Sequence, residues 1–331
     1  MFVDIYTHIL PPAVATAIEQ LGSDLGIAKR MKTVRDVHDF DSRFKTMDAV
    51  GGEYRQIISL PNPPIEAFTT PKQAIDLAKV ANDGMAELVR KHPDRFPGFV
   101  AALPMHEIES SVAEARRALG QLGARGIQLF TNVNGKPIDD KEYEPLFALA
   151  AEYDLPIWLH PTRTADFPDY TTENFSRYEM WWCFGWPYET SVAMARLVLT
   201  GLFDRYPKIK IITHHGGGMI PFYDKRIQMG LASLGGRTKE EDYSGVLKSL
   251  KRPFMDYFHD FYADTALFGD SLGLDCAIKF FGTEHMVFAS DAPFGPIKVH
   301  TAAIEARDFE KATFEAITKN NAEKLMKMTI R

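Results

Sequence analysis

The chain has 331 residues, 45% of them hydrophobic and 25% charged, with a formal net charge of -6 and two cysteines. This composition excludes disordered, collagen-like and fibrous classes, and the mildly acidic balance leaves no overall electrostatic footprint for nucleic acid. Two cysteines, Cys183 and Cys276, are too few to staple a fold of this length and point to a reducing, cytoplasmic compartment. The opening MFVDIYTHILPP lacks a basic start followed by an apolar run, so it does not read as a signal peptide, and no stretch approaches the roughly 20 apolar residues of a membrane span.

Short apolar runs recur along the chain, each followed by a longer stretch with helical spacing. In order they are Phe2–His8, Gln56–Leu60, Pro97–Leu103, Gly126–Phe130, Pro156–His160, Lys210–His215, Asp260–Thr265 and His285–Asp291. Near-continuous apolar runs of this length predict strands buried on both faces, as in a parallel sheet. Between them, Pro71–Lys91 sets Ile75, Leu77, Ala78, Ala81, Met85 and Leu88 close to one helical face, and Ile108–Leu122 and Tyr143–Tyr153 repeat the habit. Eight strands alternating with helices predict one α/β domain over 1–331, a (β/α)8 TIM barrel, rather than an open doubly wound sheet; no G-x-G-x-x-G follows the first run. Two segments break the alternation, about 9–55 after strand 1 and 161–188 after strand 5. The second holds three of the four tryptophans. Both follow the strand ends at which barrel enzymes place their chemistry.

Those strand ends carry the candidate site. His8 ends strand 1, His160 strand 5, His214 and His215 strand 6, and Asp291 strand 8. One such histidine is ordinarily a hydrogen-bonded rim residue. Four of eight strands ending this way predict a shared pocket with donors suited to zinc or a similar divalent ion. The glycines of His215-Gly216-Gly217-Gly218 suit a tight turn and a backbone that approaches an anion closely, two readings that are compatible.

On DIYTHILP, KHPDRFPGFVAALPM, GARGIQLFTNVNGKPIDD, PIWLHP, THHGGGMIPFYDKR, FYADTALFGD and SDAPFG, the chain resembles the decarboxylase branch of the amidohydrolase superfamily nearly end to end, in particular the aminocarboxymuconate-semialdehyde and resorcylate-type decarboxylases. The resemblance implies one divalent metal, zinc or alternatively manganese, held by a His-x-His pair that falls on Tyr6 and His8, by His160 and by Asp291. It implies an acid/base histidine at His215, with Asp291 assisting. Arg226 matches an arginine that reaches a neighbouring subunit's site, implying a homodimer or larger assembly. Trp181 and Phe294 match pocket aromatics, and His214 matches no family role. No partner beyond a small carboxylated substrate is implied, and neither nucleic acid nor membrane.

Tyr6 departs from the pattern. A phenol is a poor ligand while neutral, so the reading leaves open whether Tyr6 binds the ion, merely packs beside it, or marks a metal-free enzyme. Strand 4 offers Gln128 and no lysine for a second metal. The expected reaction is loss of CO2 from an aromatic or muconate-like acid, with one of Arg30, Arg35 and Arg43 helping to clamp the carboxylate. A metal-dependent hydrolase or hydratase acting on a lactone, amide or unsaturated acid is the alternative, and a non-catalytic scaffold the third reading.

Overall fold

The computed structural model describes residues 1–21 and 26–331. Eight parallel strands follow the eight apolar runs. They are β1 Phe2–His8, β2 Tyr54–Ser59, β3 Gly98–Phe99, β4 Ile127–Phe130, β5 Ile157–His160, β6 Ile211–Thr213, β7 Tyr262–Asp264 and β8 Met286–Val287. Hydrogen bonding orders them β1–β2–β3 in one sheet and β8–β7–β6–β5–β4 in another. Isolated parallel bridges, Ala101 with Ile127 and Thr7 with Ala292, set β3 beside β4 and β1 beside the chain that leaves β8. The architecture is α/β with parallel strands. The register pairs His8 with Ser59, Phe130 with His160, and Thr213 with Ala263, so the C-terminal ends of the strands share one side.

Burial on both strand faces explains the apolar runs. All seven residues of β1 and all four of β5 are buried. Trp158 is fully buried and donates its indole N–H to Ile5 O at 2.9 Å, tying β5 to β1 across the interior. Gly126 makes room for that ring: a Cβ there would lie 2.2 Å from Pro156 O and 2.4 Å from the indole.

The helix expected at Pro71–Lys91 forms over that span, opened by a Thr70/Gln73 capping box with proline at its start. Its buried face differs in one respect. Ile75 is only half-buried, while Asn82 is fully buried and bonds Ala102 N, Ala102 O and Glu114. Between β1 and β2 run α1 Pro12–Leu21, α2 Gly26–Thr33 and α3 Phe40–Asp48. Between β5 and β6 the chain is largely irregular from 161 to 179, then forms the one-turn helix Met180–Cys183 and the helix Gly185–Leu199. Cys183 and Cys276 are both free, and no helix among the described residues is long and apolar enough to cross a membrane.

Candidate active site

The strand ends bring four of the expected residues together. His8, His160 and His214 are buried, and each offers a ligand nitrogen within 4.8 Å of the others; His214, His215 and Asp291 meet the same limit. His8 Nε2 lies 3.1 Å from Asp291 Oδ1 in a direction unsuited to a hydrogen bond, and it has no hydrogen-bond partner. A buried, unpartnered imidazole nitrogen beside a carboxylate, with two further imidazoles, is a donor set able to hold a divalent cation.

Local structure fixes each group. Asp291 has φ +60°, His215 φ +55° and Phe268 φ +54°, left-handed conformations that non-glycine residues adopt at a cost and that concentrate around functional sites. Asp291 is held by its N–H to Tyr6 O at 3.1 Å, and its carbonyl accepts from Phe294 N and Gly295 N, each at 2.9 Å. The preceding Ser290 bonds the buried Asp4 carboxylate through both its N–H and its hydroxyl, anchoring this turn to β1.

The glycines after His215 make a tight turn. Gly216, Gly217 and Gly218 all have positive φ, and a Cβ would lie 2.8 Å from Leu267, 2.6 Å from Phe281 and 2.6 Å from Pro187 O respectively. The Gly216 N–H is directed to Asp264 Oδ1 at 3.1 Å, and Gly218 N to His215 O.

The electrostatics separate the two adjacent histidines. Burial alone would keep the His214 ring neutral, but Asp264, hydrogen-bonded to Nδ1, and Asp291 together raise it to about 9. His215 is pushed down to about 4 by burial and then by repulsion from His214, on which it stacks at 3.7 Å. Its Nδ1 donates to Ala266 O at 2.8 Å, so the neutral ring presents Nε2 as an acceptor. Burial would raise the Asp291 carboxyl, but contacts from His214 and His8 outweigh it and hold the group well below the usual range. Burial, then repulsion from His214 and His8, lowers His160. Burial and the Asp264 and Asp291 carboxylates raise the Tyr6 phenol well above its ordinary value. Its hydroxyl is buried without a partner, and its ring stacks on His214 at 3.9 Å.

A cavity of about 410 Å3 opens above this cluster, reached by His8, His160 and Asp291 and walled by Trp181, Trp182, Trp186, Phe268 and Phe294. Trp181 and Phe294 thus line the pocket. Arg30 also lines it, which separates the three arginines of the first segment. Arg35 is exposed and paired with Asp39 at 2.6 Å. Arg43 is 2% exposed and has a structural place: it donates to Gln56 Oε1 at 2.8 Å and to His8 O at 2.7 Å. Arg226 is exposed on the helix Asp224–Leu231 and does not line the cavity of its own chain. Gln128 bonds Leu60 O at 3.0 Å through its amide nitrogen.

Sequence reasoning missed His214 as a central member, and it missed Asp264, Trp186 and Asn62. Asp264 was detectable: it ends strand 7 just as His8, His160 and Asp291 end or follow theirs. Trp186 lies in the tryptophan-rich segment with nothing to mark it above its neighbours, although its ring comes within 5.7 Å of His160.

Comparison with known proteins bears on the family. The chain is 28% identical over 337 residues to a 2-amino-3-carboxymuconate-6-semialdehyde decarboxylase of Dictyostelium discoideum, covering 97% of this chain and 90% of that one. It is 33% identical over 304 residues to a gamma-resorcylate decarboxylase of Polaromonas sp. strain JS666, covering 87% of each. Among solved structures, a dihydroxybenzoic acid decarboxylase from Polaromonas sp. JS666 with bound manganese and the inhibitor 2-nitroresorcinol superposes with a TM-score of 0.80 at 28% identity, over 98% of this chain and 96% of that one. The amidohydrolase family model matches residues 3–327, nearly the whole length along which these strand ends are distributed. On that match, with histidines and an aspartate drawn from separate strands into one pocket, the chain belongs to the amidohydrolase family.

Proposed function

We propose that the protein is a decarboxylase, a carbon–carbon lyase that releases CO2 from a small aromatic or muconate-like carboxylic acid, assisted by one divalent metal ion. The observation that carries this reading is the convergence of His8, His160 and Asp291 on the floor of an aromatic-walled cavity that also receives Arg30. The decarboxylases named above, one with manganese and an aromatic inhibitor bound, support it. We further read the eight parallel strands and their two joining bridges as one closed (β/α)8 barrel of a single domain, with 9–55 and 161–188 as insertions that cover its mouth.

In this reading His8, His160 and Asp291 hold the ion, zinc or manganese, and Tyr6 stands beside it. A bound divalent cation supplies Lewis acidity toward a substrate oxygen, dispersing the charge left as CO2 departs. The remaining work falls to the chain. The Arg30 guanidinium binds and orients the carboxylate, for which its planar fork is suited. Trp181, Trp186 and Phe294 hold a flat ring and exclude water, so the carboxylate loses hydration that neutral CO2 does not need. The bond from ring carbon to carboxylate breaks with its electron pair staying on carbon, and a proton takes the place of CO2 there. Asp291, held ionised, is a poor donor by itself; His215, neutral and with Nε2 free, takes up and passes on the proton, with Asp291 as its relay partner. Arg226, exposed on its helix, reaches the cavity of a neighbouring subunit in a homodimer or larger assembly, and the two free cysteines suit the cytoplasm.

The test is incubation with dihydroxybenzoates and aminocarboxymuconate-type acids, following CO2 release against products that have gained water. CO2 release is expected; a hydrated or hydrolysed product with no CO2 would reverse the reading. His215→Asn is expected to remain folded by circular dichroism and to lose at least about 100-fold in kcat. Near wild-type turnover would remove the acid/base role.

A further inference from the structure

The three buried imidazoles share one constraint. His8 Nδ1 lies 3.2 Å from Leu60 O, His160 Nδ1 lies 2.7 Å from Pro161 O, and His214 Nδ1 is bonded to the Asp264 carboxylate. With Nδ1 committed on each ring, Nε2 is the nitrogen left for a ligand; on His214 it bonds Asp291 Oδ1 at 3.4 Å, a contact that an ion held between the two would replace. An acceptor that fixes one ring nitrogen while the other faces a common point is the habit of metal-binding histidines. Asp264 is itself fixed, since its Oδ1 accepts from Gly216 N and Ala266 N, each at 3.1 Å.

The spacing fits one ion. Donors placed tetrahedrally about an ion at bonds near 2.1 Å stand about 3.4 Å apart. His8 Nε2 lies 3.1 Å and His214 Nε2 3.4 Å from Asp291 Oδ1. The centroids of the three rings are 5.2, 5.0 and 6.2 Å apart, a compact triangle of which the His8 and His214 corners face Asp291. Tyr6 is placed differently: its ring lies flat against His214, at 3.9 Å and 14°. No bond fixes its hydroxyl.

We propose that His214 is the fourth protein ligand of the metal, filling the coordination position left by the tyrosine at residue 6, with Asp264 as its positioning residue and Tyr6 as the wall that sets the plane of its ring. This rests on the metal-assisted reading above and leaves the proton-transfer role with His215. It also accounts for two adjacent histidines before the glycine turn, one for the ion and one for the proton.

The test measures Mn2+ binding to metal-stripped full-length protein by equilibrium dialysis, and the visible absorption of the Co2+-loaded protein, neither of which needs turnover. Wild type is expected to bind one equivalent. His214→Asn, whose shorter side chain cannot reach the site, should weaken binding by about 100-fold and alter the Co2+ bands. Tyr6→Phe, which keeps the stacked ring, should stay within about threefold of wild type. Asp264→Asn, which keeps an acceptor for the two backbone N–H groups, should weaken binding about 10-fold, and should add nothing further in the His214→Asn background, as expected of a residue that acts through His214. Should His214→Asn fail to fold, Asp264→Asn and Tyr6→Phe together still decide. Wild-type affinity and unchanged Co2+ bands in His214→Asn, or loss of metal from Tyr6→Phe but not from Asp264→Asn, would overturn the assignment and leave the metal reading standing. A wild-type protein that binds neither ion would overturn both.

Discussion

Arg30 and Arg43 show how far one residue type can diverge within a single segment. Arg30 is exposed at the cavity wall, while Arg43 is buried with its guanidinium on the main chain of His8. Arg30→Met is expected to raise KM for the acid about 10-fold with little loss of stability, because in the function proposed this solvent-facing cation holds the substrate carboxylate, and its removal leaves no buried group unpaired. Arg43→Met should instead lower stability by about 3 kcal/mol, because it leaves Gln56 and the His8 carbonyl without their donor. Steady-state kinetics and urea unfolding separate the two; a KM effect from Arg43 alone would reverse the assignment. At this scale His8, His160 and Asp291 were legible in the sequence because metal-capable side chains at apolar strand ends are conspicuous. The three arginines were indistinguishable there, because burial is decided by how α3 packs and leaves no mark on a lone arginine.

At the scale of single elements, backbone demands are sharper than side-chain preferences. Gly217 has φ +80°, and a Cβ there would stand 2.6 Å from the Phe281 ring. Gly217→Ala is therefore expected to cost about 2–3 kcal/mol and to lower kcat by shifting His215, as thermal melts and kinetics would report. The short turn Ile65–Ala67 after β2 carries Glu66, which burial pushes up to about 7 and whose Oε1 has no partner. A carboxyl raised on folding binds more protons in the native state than in the unfolded one. Its contribution is thus fully present below about pH 4.5 and is lost as pH rises through about 7. Glu66→Gln should raise stability at pH 8 by about 1–3 kcal/mol and flatten that part of the pH profile; a variant with the wild-type slope would show that Glu66 does not titrate there. Elements were legible wherever a pattern repeats: β1, β5 and the helix Pro71–Lys91 fall where the apolar spacing sets them. Pro97–Leu103 reads as a seven-residue run but forms only Gly98–Phe99 as regular strand, although Val100 N still bonds Ile58 O in β2 and Ala101 N bonds Gly126 O just before β4. Asp264 closes its run as visibly as Asp291 does and was passed over because its partner on the adjacent strand, His214, had itself been given no role.

For the whole molecule, the position of Arg226 bears on assembly. It lies outside the cavity of its own chain. If it serves the neighbouring subunit, His215→Asn and Arg226→Ala fall on the same site of a mixed dimer, and the other site holds both native residues. Mixing and refolding the two impaired variants should restore about a quarter of wild-type activity; no gain on mixing would confine Arg226 to its own subunit.

The molecule divides its labour by rigidity. The floor, His8, His160, His214 and Asp291, sits on or directly after buried strands, each group tethered to main chain or to another carboxylate. Much of the aromatic cover comes from Trp181, Trp182 and Trp186, on the short helix Met180–Cys183 and the start of the next helix, and Trp182 is 40% exposed. Surface segments of that kind accept sequence change that a buried strand end cannot. Altering the tryptophan-bearing roof can therefore retune which acid is admitted while leaving the bond-breaking apparatus untouched, so preference and chemistry are free to diverge independently as the chain evolves.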